Sequence, residues 1–481
     1  MNYPTVFYVL SRLLFAMSIT LVLPLFASIQ WQEESYLDFL GAIVVSLSLA
    51  VYFSNRGKTT SDAISIREGI AITGFSWLFA STIAAIPYLS GHYMPVIDCL
   101  FEGVSGITGS GASIVSDIPK LPASILLWRS LTHWLGGLGI IVIFIALVPQ
   151  TGIRGLKMFE IETTGPTESR PLPRFKSTAR ALLILYILLT FILIALLLLC
   201  GFSLSDATNN AMSAIATGGF ATHNDSIGHF DNLAAEMVIL VAMLIGGGNF
   251  SLYLIAWKRG YRKIFSEPEF MAYMVLFAVI SLAITVNLAS ATGLGLFTAL
   301  RQASFQTAAV ISTTGFSNGD FNSWPAFSKY CLLIVMLTGG CAGSTAGGIK
   351  IARFLLLFKM VNRIIQEKLN PDHIVHLKYD TNEQLEVVIN RTSRFFFLYI
   401  VLALLGALIF TMDGLPAMDA IVLGISAIGN AGIAFGAAND FSQLNNLTKI
   451  VCCVLMVVGR LEIFLFLVML KPSFWQKGAS W

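Results

Sequence analysis

Ile311-Ser-Thr-Thr-Gly315 closes a short apolar stretch at 296–312, and the same frame recurs at Ile107-Thr-Gly-Ser-Gly111, Ile215-Ala-Thr-Gly-Gly219 and Ile428-Gly-Asn-Ala-Gly432. Each copy is followed by Ala112, Phe220, Phe316 or Ile433 and then by a small residue, Ser113, Ala221, Ser317 or Ala434. The four glycines stand 108, 96 and 117 residues apart. Such a period marks a repeated structural unit, and four copies point to four-fold pseudo-symmetry about an axis. One copy alone reads equally well as a helix stopping on a C-cap glycine. Four copies in the same place of the same unit do not.

Outward from these frames the chain is apolar. Of 481 residues, 56% are hydrophobic and 12% charged, and the mean hydropathy is +0.77, more apolar surface than a soluble core of this size hides. The chain therefore belongs in a lipid bilayer, and its net charge of +3 gives no reason to expect nucleic acid. A bilayer core of about 30 Å needs about 20 apolar residues in a helix. Ten stretches qualify: 4–30, 37–54, 67–91, 122–149, 175–201, 231–258, 267–293, 326–365, 385–411 and 446–471. Four shorter ones, 95–108, 203–216, 296–312 and 415–429, each end on one of the frames. Too short to cross, they read as re-entrant segments, tolerated at membrane depth where protein or a water-filled cavity covers their backbone.

The expected fold is an all-α integral membrane protein. Two N-terminal helices (1–60) precede four repeats of transmembrane helix, re-entrant pore helix with filter loop, and transmembrane helix, at 61–160, 161–263, 264–370 and 371–481. Segments 54–67, 150–180, 257–269, 350–394 and 471–481 hold 23 of the 30 Lys and Arg. By the positive-inside rule they are cytoplasmic, which puts both termini inside, and the loop at 31–36 and the re-entrant segments on the outer side. The six cysteines show no metal spacing and read as small core residues.

Four converging loops suit one chemistry. A dehydrated monovalent cation needs its water replaced by oxygens, and rings of backbone carbonyls supply them without fixed charge. Small side chains let four loops meet, glycine permits backbone angles that aim carbonyls inward, and the partially negative ends of the short helices favour a cation. The expected ion-binding set is Gly109, Ser110, Gly111, Thr217, Gly218, Gly219, Thr313, Thr314, Gly315, Asn430, Ala431 and Gly432.

With these frames, with His-Trp-Leu-Gly-Gly-Leu-Gly at 133–139, Gly-Gly-Cys-Ala-Gly-Ser-Thr-Ala-Gly-Gly-Ile-Lys at 339–350 and Gly-Arg-Leu-Glu-Ile-Phe at 459–464, essentially the whole chain resembles the Trk/Ktr/HKT superfamily of potassium transporters. Within it the likeness is to the bacterial TrkH-type pore-forming subunit. The resemblance implies that the loop glycines serve potassium permeation, a serine in the first loop going instead with sodium. It further implies a homodimer in the bacterial inner membrane, a separate cytosolic nucleotide-binding regulatory subunit of the TrkA type, and K+ as the transported ion with no cofactor on this chain. The fourth loop departs most from the pattern, with Asn430 where the second and third carry Thr.

Five glycines within 339–348 cannot propagate a helix, so the 326–365 span should break there. The resemblance makes Gly339, Gly340, Gly343, Ser344, Thr345, Gly347 and Gly348 a gating loop. A phosphate-binding loop is the rival, but the stretch lacks a Gly-Lys-Ser/Thr ending and a preceding strand. Arg460, near the middle of the last span, is expensive in a membrane and should face a water-filled path or a partner; its bland alternative is a pair with Glu462, and the family pattern puts it beneath the filter. Asp98, Glu102, Asp206, Asp225, Asp231, Asp320 and Asp440 read mostly as solvated outer loop charges. Arg129 and His133 read as either helix-interior partners or an interface anchor. A coupled K+/H+ or K+/Na+ symporter with a midplane site is the alternative function. No catalytic constellation suggests an enzyme.

Overall fold

The structure is a computed structural model that describes residues 1–57, 65–137, 139, 173–369 and 385–476. Among these there is no strand. Helices Tyr3–Thr20 and Val22–Gln30, separated at Leu21, and helix Tyr36–Arg56 come first. Four sets then follow, each a long helix, a short helix and the opening helix of the set's second long segment: Ile66–Ser90, Val96–Thr108 and Ala123–Gly137; Pro173–Leu199, Leu204–Ile215 and Leu233–Gly246; Pro268–Thr292, Leu296–Ile311 and Ala326–Thr338; Leu385–Met412, Ala417–Gly429 and Asn446–Arg460.

Among the described residues six helices are long and apolar enough to cross a bilayer, or eight if each bent pair counts as one span. Their outer faces carry exposed Phe191, Ile192, Val275, Val279, Leu282 and Val286, the surface a lipid-facing helix presents. The short helices are buried instead, most completely toward their C-terminal ends, from Gly103 to Thr108 and from Val422 to Gly429.

Two expected straight spans are bent. The 231–258 span turns by 93° between Leu233–Gly246 and Phe250–Lys258, and the 446–471 span turns by 114° between Asn446–Arg460 and Glu462–Leu470. The 326–365 span breaks as its glycines require, resuming as helix Ile351–Leu369. Of the 122–149 span, only the part through Gly137, with Gly139, lies within the described residues.

The first and last described helices meet on one face: the Tyr3 hydroxyl donates to the Trp475 carbonyl at 3.4 Å, and Arg67 Nη2 to the Ser473 carbonyl at 3.0 Å. On the other face, Glu33 accepts from the Ala123 and Ser124 amides at 2.8 and 3.2 Å, satisfying the start of that helix. The 31–36 loop therefore lies opposite the termini.

Two of the presumed solvated carboxylates are buried. Glu102, 0% exposed, meets Arg129 Nε at 2.8 Å, and Asp98 meets Lys449 at 2.8 Å. Both carboxylates lie on the helix Val96–Thr108, which packs between Ile66–Ser90, Ala123–Gly137 and Asn446–Arg460, so burial forces each to find a cation. Arg129 is thus a helix-interior partner. Removing one member of such a pair strands the other charge, so Glu102→Gln should cost about 3 kcal/mol, read as a lower thermal midpoint in detergent. Breaking the exposed pair of Lys120 and Asp117 by Lys120→Ala should leave that midpoint unchanged.

Candidate ion pathway

All four short helices end in the same way. A left-handed residue follows or closes the last turn: Gly109 (φ 73°), Thr217 (52°), Thr313 (53°) or Asn430 (51°). Its N–H donates three residues back, to Gly106, Ala214, Val310 or Ala427. The next N–H, of Ser110, Gly218, Thr314 or Ala431, donates five residues back, to the carbonyls of Ser105, Ser213, Ala309 and Ser426 at 3.0, 2.8, 2.8 and 3.0 Å. This is the Schellman arrangement. The cap thus falls two residues before the aligned glycine, and three of the four copies build it without glycine. Asn430 holds the same position as the two threonines, and asparagine tolerates this backbone well, so the departure of the fourth loop leaves its geometry intact.

The aligned glycines have a different duty. Gly111, Gly219, Gly315 and Gly432 also take positive φ, 80°, 91°, 84° and 65°. A Cβ on Gly111 would strike the Gly218 carbonyl, one on Gly219 the Thr314 carbonyl, one on Gly315 would lie 2.9 Å from the Ala431 oxygen, and one on Gly432 would strike the Ser110 carbonyl. Loop one abuts loop two, two abuts three, three abuts four and four returns to one. The carbonyls of Ser110, Gly218, Thr314 and Ala431 therefore occupy one level of a closed ring. In every copy the two residues before the glycine are buried, while the glycine itself keeps partial exposure, as residues lining a narrow passage do. None of these twelve residues is ionisable.

A second set of glycines, of which the reading of the sequence gave only Gly339 a role, follows 24 to 27 residues later: Gly136, Gly246, Gly339 and Gly459. A Cβ on Gly136 or Gly459 would strike the Ile107 or Ile428 carbonyl, and one on Gly246 would come within 3.0 Å of the Ile215 carbonyl. The second long helices can thus press against the ends of the short ones. Their similar distance from the loop glycines, 24 to 27 residues, is the signal the sequence offers for them.

The stretch 339–350 lies against the short helix ends of three sets. Thr345 Oγ1 donates to the Ile215 and Gly246 carbonyls at 3.2 and 3.0 Å and meets Thr217 Oγ1 at 3.1 Å. The Gly347 N–H donates to Thr313 Oγ1 at 2.7 Å, and the Gly348 N–H to the Gly429 carbonyl at 2.9 Å. Gly339, Gly343 and Gly348 hold positive φ; Gly340 packs 2.7 Å from the Gly247 oxygen, measured from the position of a Cβ. Ser344 accepts from Lys350 Nζ at 3.2 Å, and Lys350 also donates to the Ala346 carbonyl. Lys350 is buried inside the stretch, and Glu269 accepts from the Ala342 and Ala352 amides.

Arg460 supplies the fourth side. It lies at the end of its helix, just before the bend, rather than in mid-span. It donates to the Thr345 carbonyl at 3.2 Å and to the carbonyls of Gly136 and Gly137. Glu462, the alternative partner, pairs instead with Arg353 at 2.7 Å, as neighbours two apart on a chain face different ways. Of the outer carboxylates, Asp231 reaches Arg301 at 3.1 Å, while Asp320 and Asp440 accept from the amides of Asn322 and Ser442, each at the start of a short turn.

The sequence profile of TrkH, described as a cation transport protein, matches residues 39–477. The Trk system potassium uptake protein TrkH of Halomonas elongata is 31% identical over 485 residues, covering 98% of both chains. The Trk system potassium uptake protein TrkG of Escherichia coli K12 is 30% identical over 464 residues, covering 95% of this chain and 96% of its own. A crystal structure of the potassium transporter TrkH from Vibrio parahaemolyticus superimposes with a TM-score of 0.89 at 29% identity, covering 99% of this chain and 100% of that one.

Because the loops abut, Gly111→Ala and Gly219→Ala should lower the thermal midpoint in detergent more than Gly315→Ala. All three place a Cβ on left-handed backbone at about 1 kcal/mol, but the first two also drive it into a neighbouring carbonyl. Equal midpoints would contradict the closed ring.

Proposed function

The chain belongs to the TrkH family of cation transport proteins, and from that premise we propose that it takes up potassium across the bacterial inner membrane through the ring formed by loops 109–111, 217–219, 313–315 and 430–432. The observation that carries this reading is the mutual contact of the four glycines, with uncharged carbonyls at one level between them. A ring of backbone oxygens replaces the hydration shell of a monovalent cation and offers no charge to hold it fast. The family is one of transporters rather than enzymes, and the chain is a multi-pass membrane protein.

The stretch 339–350 and Arg460 act as the gate. The stretch bonds to three sets of helices and Arg460 ties it to the fourth, so the fixed positive charge of Arg460 stands next to the ring and repels a cation until the stretch withdraws. The bend at Leu461 is what brings the guanidinium to this place. Relatives named as uptake proteins of a Trk system support control by a separate cytosolic nucleotide-binding subunit. The chain works as a homodimer, with both termini, already on one face, in the cytoplasm.

In liposomes holding the purified protein, the reversal potential should follow the K+ gradient and ignore imposed Na+ and pH gradients; a shift with pH would instead mean coupled symport with H+. Arg460→Ala should raise the closed-state K+ flux about tenfold, the rate equivalent of one lost charged hydrogen bond. Unchanged flux would remove Arg460 from the gate.

A further inference from the structure

Only the second loop carries two adjacent glycines, Gly218-Gly219, where the others place Ser110, Thr314 or Ala431 before the aligned glycine. The reason is an imidazole. His133, on the helix Ala123–Gly137 and 0% exposed, fills the room that a side chain at 218 would need: a Cβ on Gly218 would run into the His133 ring. The same ring stacks on Phe220, centroids 4.0 Å apart and planes at 24°, and the Arg129 guanidinium stands 4.2 Å from the Phe220 centroid. Two residues one helical turn apart thus hold the side chain that follows the loop glycine.

The hydrogen bonds point the same way. In the fourth loop the amide after the glycine, Ile433 N–H, donates to the Ser426 hydroxyl at 3.1 Å, and in the first the matching Ser105 hydroxyl donates to the Ala112 carbonyl at 2.6 Å. The helix end thus ties directly to the outgoing chain. In the second loop the matching hydroxyl, Ser213, contacts His133 Nδ1 at 3.2 Å, and His133 Nδ1 takes the Phe220 N–H at 3.4 Å. The imidazole is spliced into the tie. A backbone N–H can only donate, so Nδ1 carries the lone pair, the Ser213 hydroxyl donates to it and the proton sits on Nε2. Nε2 is buried beside the Ser105 backbone without a well-formed hydrogen bond, so the contacts of Nδ1 are the well-formed ones of this side chain.

We propose that His133 is a positioning residue for ion discrimination: as the neutral Nε2–H tautomer it fixes the second loop, and through it the spacing of the carbonyl ring. The inference rests on the ring being the potassium pathway. Ring oxygens discriminate K+ from Na+ only while their spacing and number are kept, and the second loop abuts both the first and the third.

The test compares wild type, His133→Asn and His133→Leu, each purified and reconstituted in liposomes, by the K+/Na+ permeability ratio from bi-ionic reversal potentials, with the thermal midpoint in detergent alongside. Asn places an amide oxygen where Nδ1 accepts; Leu fills the volume without an acceptor. Leu should lower the ratio about fivefold, what one lost hydrogen bond is worth, while Asn stays within about twofold of wild type by the same measure. A Leu variant as selective as wild type overturns the proposal, as does an Asn variant as impaired as Leu, which would mean that only ring volume matters. If Leu yields no folded protein, Asn decides alone, and a ratio below that twofold margin overturns the proposal. A wild type with no K+ preference would sink the underlying reading of the ring, an outcome distinct from all of these.

Discussion

Four backbone segments can share one ring of carbonyls only if nothing larger than hydrogen stands where each chain meets the next. That constraint runs through the whole molecule. It sets glycine at 111, 219, 315 and 432. It also demands that the short helices be held end-on to the ring, which the second long helices achieve by presenting Gly136, Gly246 and Gly459 to their last carbonyls. Backbone exposed at membrane depth is costly unless protein covers it, and here the cover is the neighbouring loop on each side and the 339–350 stretch at the helix ends.

The polar groups outside the ring serve the same end. Glu102, besides pairing with Arg129, accepts from the Ser113 hydroxyl and the Ile114 amide, so one buried carboxylate holds the chain leaving the first loop. Glu236, paired with Arg301 at 2.6 Å, accepts from the Asn318 amide group at 3.1 Å and does this for the third. Burial makes such groups expensive when left alone and firm when satisfied, which suits supports that must not yield while an ion passes.

The repeat, the short helices and the break at 339–348 were legible because each depends on local chemistry: a small-residue frame, a length below that of a span, a density of glycine. The bends at 247–249 and 461 were not. The first carries its signal, Gly246-Gly247-Gly248-Asn249, inside an apolar run long enough to read as one span, whereas at the second Gly459 alone hardly marks a turn and Glu462 takes φ 54°, a conformation set by packing rather than by preference. Glu102 and Asp98 were misread for a related reason, since their cations, Arg129 and Lys449, stand 27 and 351 residues away. His133 was visible as a residue but undecided, because its partners lie on the following repeat. The aligned glycines were read correctly as special and incompletely as to why: the cap belongs to the residue two places earlier, and only the neighbouring loop explains the glycine.

A linear chain that closes into a circle has one seam. Here it lies between the first and last sets, where Gly432 abuts Ser110, Lys449 reaches Asp98, and Arg460 spans to Gly136 and Gly137. Chains are made from the N-terminus and their early parts assemble first, so until the final quarter emerges the first three loops form an arc with an open side. Closure of the circle is therefore all-or-none with respect to the last set of helices, and a chain ending before Gly432 lacks the loop that bounds it.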